Sequence, residues 1–222
     1  MNFKNKIVVI SGASSGIGEA AAEKFAKKGA DIVLVARRKE KLDEVERKLS
    51  KYSVKILVQV CDVSDKEQVK QMSEKVIETF SRIDVLVNNA GFVIYGKVEE
   101  LSIEDIESQM QTNYFGMINC TKYFLPYFLK QNSGHMVNVA SVGGSFGVPG
   151  IASYCATKFA TGISLSSETV ANAIIKAANS SRLEIVVPSF VRIGIWFKQT
   201  FPFLINPIIG TAFRKQLDKR DS

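Results

Sequence analysis

A chain of 222 residues that is 46% hydrophobic and 23% charged has the length and composition of one globular α/β domain, and no internal repeat or low-complexity segment divides it. Its net charge of +7 comes from Lys and Arg spread among Asp and Glu along helical stretches, which argues against a nucleic-acid module and for a solvated basic surface able to attract a phosphate-rich cofactor. Cys61, Cys120 and Cys155 are widely spaced, which excludes a CxxC metal site and a disulfide framework; they are expected to be buried thiols, with no metal. The apolar run 7–10 is too short for a signal sequence, so a cytoplasmic location is expected.

In chain order, β-branched runs at residues 7–11, 32–36, 54–60, 85–89 and 136–140 predict strands. Amphipathic runs predict helices at 16–28, 39–51, 65–80, 103–130 and from Ser153 onward. Strands apolar throughout and separated by helices imply a parallel sheet covered on both faces, the doubly wound Rossmann-type arrangement in a single domain. Ligands of such sheets bind at the carboxyl ends of the strands, so the residues just after each strand carry the functional reading.

After the first strand, Gly12, Ser14, Ser15, Gly16, Ile17 and Gly18 form a glycine-rich turn that opens a helix, where the backbone can approach a pyrophosphate. The second strand ends at Ala36, with Arg37 and Arg38 where an acid would hold a ribose 2′-hydroxyl; two cations there predict a 2′-phosphate and thus NADP(H). After the third strand come Asp62 and Val63, with Asp62 able to accept from an adenine amino group and Ser64 or Asp65 able to cap the next helix. Asn89, Ala90 and Gly91, following Asn88, offer amides and small residues for close approach by a ribose or nicotinamide.

Tyr154 and Lys158 lie four apart in a helical pattern and share one helix face, and Ser141 sits at the end of the fifth strand, within reach of a short loop. His135 has no acidic partner in the sequence and is read as structural.

The glycine turn 11–18, the Asn88 to Gly91 run, Asn113, Ser141 and the Tyr154 to Lys158 pentapeptide together resemble the short-chain dehydrogenase/reductase family in order and spacing over roughly the first 160 residues. The resemblance implies Tyr154 as general acid/base, Ser141 as holder of the substrate oxygen, Lys158 at the nicotinamide ribose, and Asn113 as anchor of a water in the proton relay. It also implies a homodimer or homotetramer. A free phenol is a poor base at neutral pH, so Lys158 and an oxidised nicotinamide are expected to lower the Tyr154 pKa.

Beyond Phe159 the chain departs from that pattern. The sixth strand, the Pro-Gly turn and the substrate-covering segment of the family are not visible. Residues 159–168 run directly into 169–175, as though a segment near 159–165 were missing. A last strand is expected at 182–187, and the tail 189–222 is apolar but too interrupted to span a membrane, suiting an oligomer contact, a greasy substrate wall or peripheral membrane contact.

The reading is a single-domain NADP(H)-dependent oxidoreductase acting on a hydrophobic carbonyl or alcohol. Two alternatives remain at this point: a non-catalytic NADP(H)-binding regulator that has lost its substrate loop, and a basic module for membrane surfaces or nucleic acid.

Overall fold

In a computed structural model of the protein, residues 3–145, 147–159 and 174–175 are described. The element order is β1 (Ile7–Ser11), α1 (Gly16–Ala26), β2 (Asp31–Ala36), α2 (Lys39–Leu49), β3 (Ile56–Val60), α3 (Lys66–Phe80), β4 (Val85–Asn88), α4 (Ile103–Met110), a π-helical turn (Gln111–Phe115), α5 (Gly116–Gln131), β5 (His135–Asn138) and α6 (Ala152–Phe159). The strands form one parallel sheet in the order β3-β2-β1-β4-β5. Strand order reverses between β1 and β4, which opens a crevice at their carboxyl ends.

Strand side chains alternate between two cores, as a period of two requires. Val8, Ile10, Ile32, Leu34 and Val87 face α1 and α2, packing on Ala21, Ala22, Phe25, Leu42 and Leu49. Ile7, Val9, Val33, Val35 and Leu86 face α3 and α5, packing on Val69, Met72, Val76, Phe124 and Phe128. Each such aliphatic or aromatic side chain contributes about 1.5–3 kcal/mol on burial. At the opposite end of the sheet from the crevice, the buried Asp84 carboxylate accepts from Lys6 Nζ at 2.9 Å, Arg82 Nη2 at 2.6 Å and the Ile7 amide at 3.0 Å, tying β1 to β4.

The predicted sheet and five strands stand, with shifted ends. Residues 54 and 55 precede β3, because the Val54 amide is taken by the Tyr52 carbonyl at 2.9 Å in a turn. The single helix expected at 103–130 is instead α4 and α5 joined by the π turn, whose wider backbone carries Asn113. Of the two candidate caps, Asp65 caps α3 through the Glu67 and Gln68 amides, while Ser64 turns back to Asp62. The expected junction at 160–168, the last strand at 182–187 and the tail lie outside the described residues.

Candidate active site

The crevice is a cleft of about 520 Å³ lined by the turn after β1, the ends of β2 and β3, the segment after β4 and the face of α6 that carries Tyr154 and Lys158. Gly12 has φ +68, and a Cβ there would sit 2.8 Å from Asn89 Nδ2 and 2.9 Å from Ala90 Cα. A Cβ on Gly18 would collide with the Gly12 carbonyl, so the turn folds flat against the start of α1 only because both residues are glycine. Ser15 stands at the N-cap of α1 with no capping hydrogen bond from its side chain, which leaves the first amides of the helix for a ligand. The shape of this cradle fits a pyrophosphate, and of the predicted residues Gly12, Ser14, Ser15 and Ile17 line the cleft.

Arg38 reaches back from the end of β2 to that turn, donating from Nη2 to Ser14 Oγ at 3.2 Å and to Ser15 Oγ at 3.4 Å. A guanidinium and two hydroxyls therefore converge at one rim of the cleft. Arg37 goes elsewhere, pairing at 3.5 Å with Asp62 Oδ2. Burial pushes the Asp62 carboxyl up, but hydrogen bonds from the Ser64 hydroxyl and amide and the Arg37 charge hold it below the usual carboxylate range. The two arginines expected to act as a pair thus serve different partners. Cys61, in the same wall, is pushed up to about 12 by burial and by Asp62 and Asp65 and stays a thiol.

Between the turn and the segment after β4, Asn89 Nδ2 donates to the Ser11 carbonyl at 3.0 Å and the Gly12 carbonyl at 3.3 Å. Ser11 Oγ returns the contact, accepting from the Asn89 and Ala90 amides at 3.0 and 3.1 Å. Asn89 thus holds the two halves of the crevice in register. Gly91 lies against Asn113 and Lys158: a Cβ there would be 2.9 Å from Asn113 Oδ1 and 3.6 Å from Lys158 Nζ.

Tyr154 and Lys158 both line the cleft, with Lys158 Nζ 6.0 Å from the Tyr154 ring centroid. Lys158 is buried and donates to the Val139 carbonyl at 3.0 Å, and burial pushes its ammonium down to about 8. Burial raises the Tyr154 phenol above its ordinary value; a hydrogen bond with Ser141 pulls the other way, and Cys155 and Tyr95 add to the rise. The lowering expected from Lys158 is therefore not produced by the protein alone. Ser141 also accepts from the Gly143 amide at 3.2 Å, which fixes its hydroxyl after β5.

Asn113 is buried, and both of its side-chain donors are used: Nδ2 donates to the Phe92 carbonyl at 2.8 Å and to Thr157 Oγ1 at 3.1 Å, while Oδ1 accepts from the Phe92 amide at 2.9 Å. Its side-chain amide ties the Phe92 backbone to Thr157 of α6. His135 is exposed at the start of β5, its Nδ1 2.7 Å from the Gly134 carbonyl, and it is not among the residues that line the cleft. Sequence reasoning missed Phe92, Val93, Thr112, Val139 and Ala140 in the lining. The position of Phe92, Val93, Val139 and Ala140 directly after β4 and β5 was the available signal, whereas Thr112 enters from the π turn.

A family model described as short chain dehydrogenase matches residues 6–178. Meso-2,3-butanediol dehydrogenase of Serratia marcescens is 42% identical over 192 residues, covering 86% of this chain and 74% of that protein. Among solved structures, an alcohol dehydrogenase from the archaeon Thermococcus sibiricus complexed with 5-hydroxy-NADP has a TM-score of 0.67 and 34% identity over 70% of this chain and 66% of its own. NAD+-bound xylitol dehydrogenase has a TM-score of 0.70 and 31% identity over 72% of this chain and 62% of its own. With a family model covering most of its length and a relative of 42% identity along 86% of it, the chain belongs to the short-chain dehydrogenase/reductase family of oxidoreductases.

Proposed function

We propose that the protein is an NADP(H)-dependent reductase that converts an apolar carbonyl compound to its alcohol, with Tyr154 as proton donor. The observation that carries this reading is one cleft with Arg38, Ser14 and Ser15 converging at one rim and Tyr154, hydrogen-bonded to Ser141, in its wall. Arg38 and the two serine hydroxyls suit a 2′-phosphate, a charge-assisted site that a 2′-hydroxyl would leave half used. The relatives bound to NAD+ and to an NADP analogue leave the choice to this chain's own residues.

When bound, the dinucleotide supplies the hydride. The protein's residues handle the proton and the charge. Ser141 and Tyr154 together hold the substrate oxygen, and the phenol gives its proton as that oxygen gains negative charge. A phenol raised by burial keeps its proton in the cofactor-free cleft, the form that donates to the substrate oxygen in reduction. Lys158, held by Val139, supplies positive charge one helical turn away and restrains the phenolate left behind. Asn113 clamps the Phe92 backbone against α6, which keeps the cleft wall in place. Phe92 and Val93 line the same cleft, which supports an apolar substrate.

A homodimer or homotetramer, on family resemblance, and a cytoplasmic location, on the short apolar run 7–10, are part of this proposal. Among the described residues no helix is long and apolar enough to cross a membrane.

The test is a panel of aliphatic and aromatic ketones and aldehydes assayed with NADPH and with NADH. Turnover that prefers NADPH by about tenfold or more supports the reading. Tight NADPH binding with no turnover on any member would favour the non-catalytic regulator instead, and turnover with NADH alone would overturn the cofactor assignment.

A further inference from the structure

Gln109 has no exposed surface, and its amide bridges elements that meet beside Tyr154. Oε1 accepts from the Ile94 amide at 3.0 Å, and Nε2 donates to Ser153 Oγ at 3.0 Å, with a longer contact of 3.4 Å to the Asp105 carbonyl. One turn along, Asn113 repeats the arrangement with the Phe92 amide and Thr157 Oγ1. The pairs form two rungs: residues 109 and 113 on one side, four apart, meet residues 153 and 157 of α6, also four apart, and these bracket Tyr154. Each rung also grips an alternate backbone amide of the segment after β4, and a third tie runs from the Gly96 amide to the Gly150 carbonyl at 3.0 Å.

We infer that Gln109 is a positioning residue for Tyr154: by holding Ile94 and Ser153 at once, it fixes the segment 92–96 against α6 and aims the phenol at the substrate oxygen. Packing alone would be met by an apolar side chain of the same length. A fully buried amide satisfied at both ends is instead costly to half satisfy, so it specifies one geometry. Ser153 is the residue before Tyr154, so any displacement of the rung is passed directly along α6 to the phenol. A misplacement of about 1 Å at a reacting group costs about a hundredfold in rate. The groups facing the phenol are Lys158 and Cys155 on its own helix, Ser141 after β5 and Tyr95 from the gripped segment.

This inference rests on the proposed role of Tyr154, and its test keeps the two separable. Gln109→Met removes both ends of the rung at nearly constant volume. Gln109→Glu, kept protonated by full burial, retains an oxygen for the Ile94 amide and an O–H donor toward Ser153 Oγ. On the carbonyl panel, Q109M is expected to lose roughly 10- to 100-fold in kcat with the KM for cofactor within about twofold, and Q109E to recover most of that loss. The Tyr154 Cζ resonance, assigned with Tyr154→Phe, is expected to titrate about half a unit or more away from wild type in Q109M. Wild-type kcat and titration in Q109M overturn the inference, as does a loss of cofactor binding in proportion to kcat, which would mean a general structural role. If Q109M does not fold, Ser153→Ala at the partly exposed end of the rung carries the same readouts. An inert wild type would sink the proposed function, while the Tyr154 titration would still decide the role of Gln109.

Discussion

Arg38 donates to Ser14 across 3.2 Å, so the end of β2 is latched to the glycine turn that follows β1. A 2′-phosphate placed at this latch would meet a cation and two hydroxyls, whereas a 2′-hydroxyl would draw on little of it. Arg38→Ala is expected to weaken NADPH binding by about 1.5–3 kcal/mol, roughly 10- to 150-fold, the range for hydrogen bonds to charged groups. NADH binding should change by less than about threefold. Calorimetric titration of both cofactors checks this, and equal losses for the two would mean that Arg38 only supports the turn.

Tyr154→Phe removes the proton donor and leaves the ring in place. Turnover is expected to fall by about 10²–10⁴-fold, the contribution of a positioned acid, with NADPH affinity within about twofold of wild type. Steady-state kinetics alongside fluorescence titration make the comparison. A variant that kept most of its rate would remove Tyr154 from the chemistry and leave Ser141 as the hydroxyl to test next.

Much of this arrangement was legible in the residues. The glycine turn, the run after β4 and the Tyr154 to Lys158 spacing each sit where a parallel sheet exposes its ligand end, so continuous apolar runs alternating with helical patterns located the site once the strands were found. What stayed hidden depends on three-dimensional partners. Two adjacent arginines read as a pair, but successive side chains leave a chain in different directions, and Arg37 finds Asp62 while Arg38 finds the serines. The π turn was invisible because one inserted residue leaves helical composition unchanged. Gln109 carries no signal in the sequence, since only the docking of α6 reveals a partner 44 residues away. The rise in the Tyr154 pKa likewise follows from burial, which a sequence does not state for one phenol.

Asp84 anchors the far end of the sheet. Burial pushes its carboxyl up, but hydrogen bonds from Arg82, the Ile7 amide and Lys6 outweigh this and hold it below the ordinary carboxylate value. A folded-state pKa that is depressed gives stability that is present above the ordinary carboxylate pKa and lost as pH falls through the folded value. Asp84→Asn keeps the shape and removes the charge. Because Lys6 and Arg82 are about half exposed, the expected cost at neutral pH is about 2 kcal/mol, below that of breaking a fully buried pair. Urea unfolding should show the difference shrinking as the pH is taken below the ordinary carboxylate value, and a cost that stays constant with pH would mean that hydrogen-bond geometry rather than charge is lost.

Lys158 provides the opposite signature at the active site. Its ammonium is buried against the Val139 carbonyl, with a folded pKa of about 8 against an ordinary 10.5. Below about 8 both the folded and unfolded chains carry the proton, and the folded state bears the cost of a buried charge. Between about 8 and 10.5 the unfolded chain holds the proton and the folded one does not, so stability rises with pH across that window. The slope is at most about 1.4 kcal/mol per pH unit for a single proton. Lys158→Met has no proton to lose. The cofactor-free wild type should therefore gain stability relative to Lys158→Met between pH 7 and 9.5, a range that ends below the titration of the raised Tyr154 phenol. Parallel pH dependences for the two proteins would mean that the ammonium stays charged throughout, kept so by the groups around it. In that case Lys158 would bring a full positive charge to Tyr154 even in alkaline solution, and alkaline loss of turnover would have to come from the phenol alone.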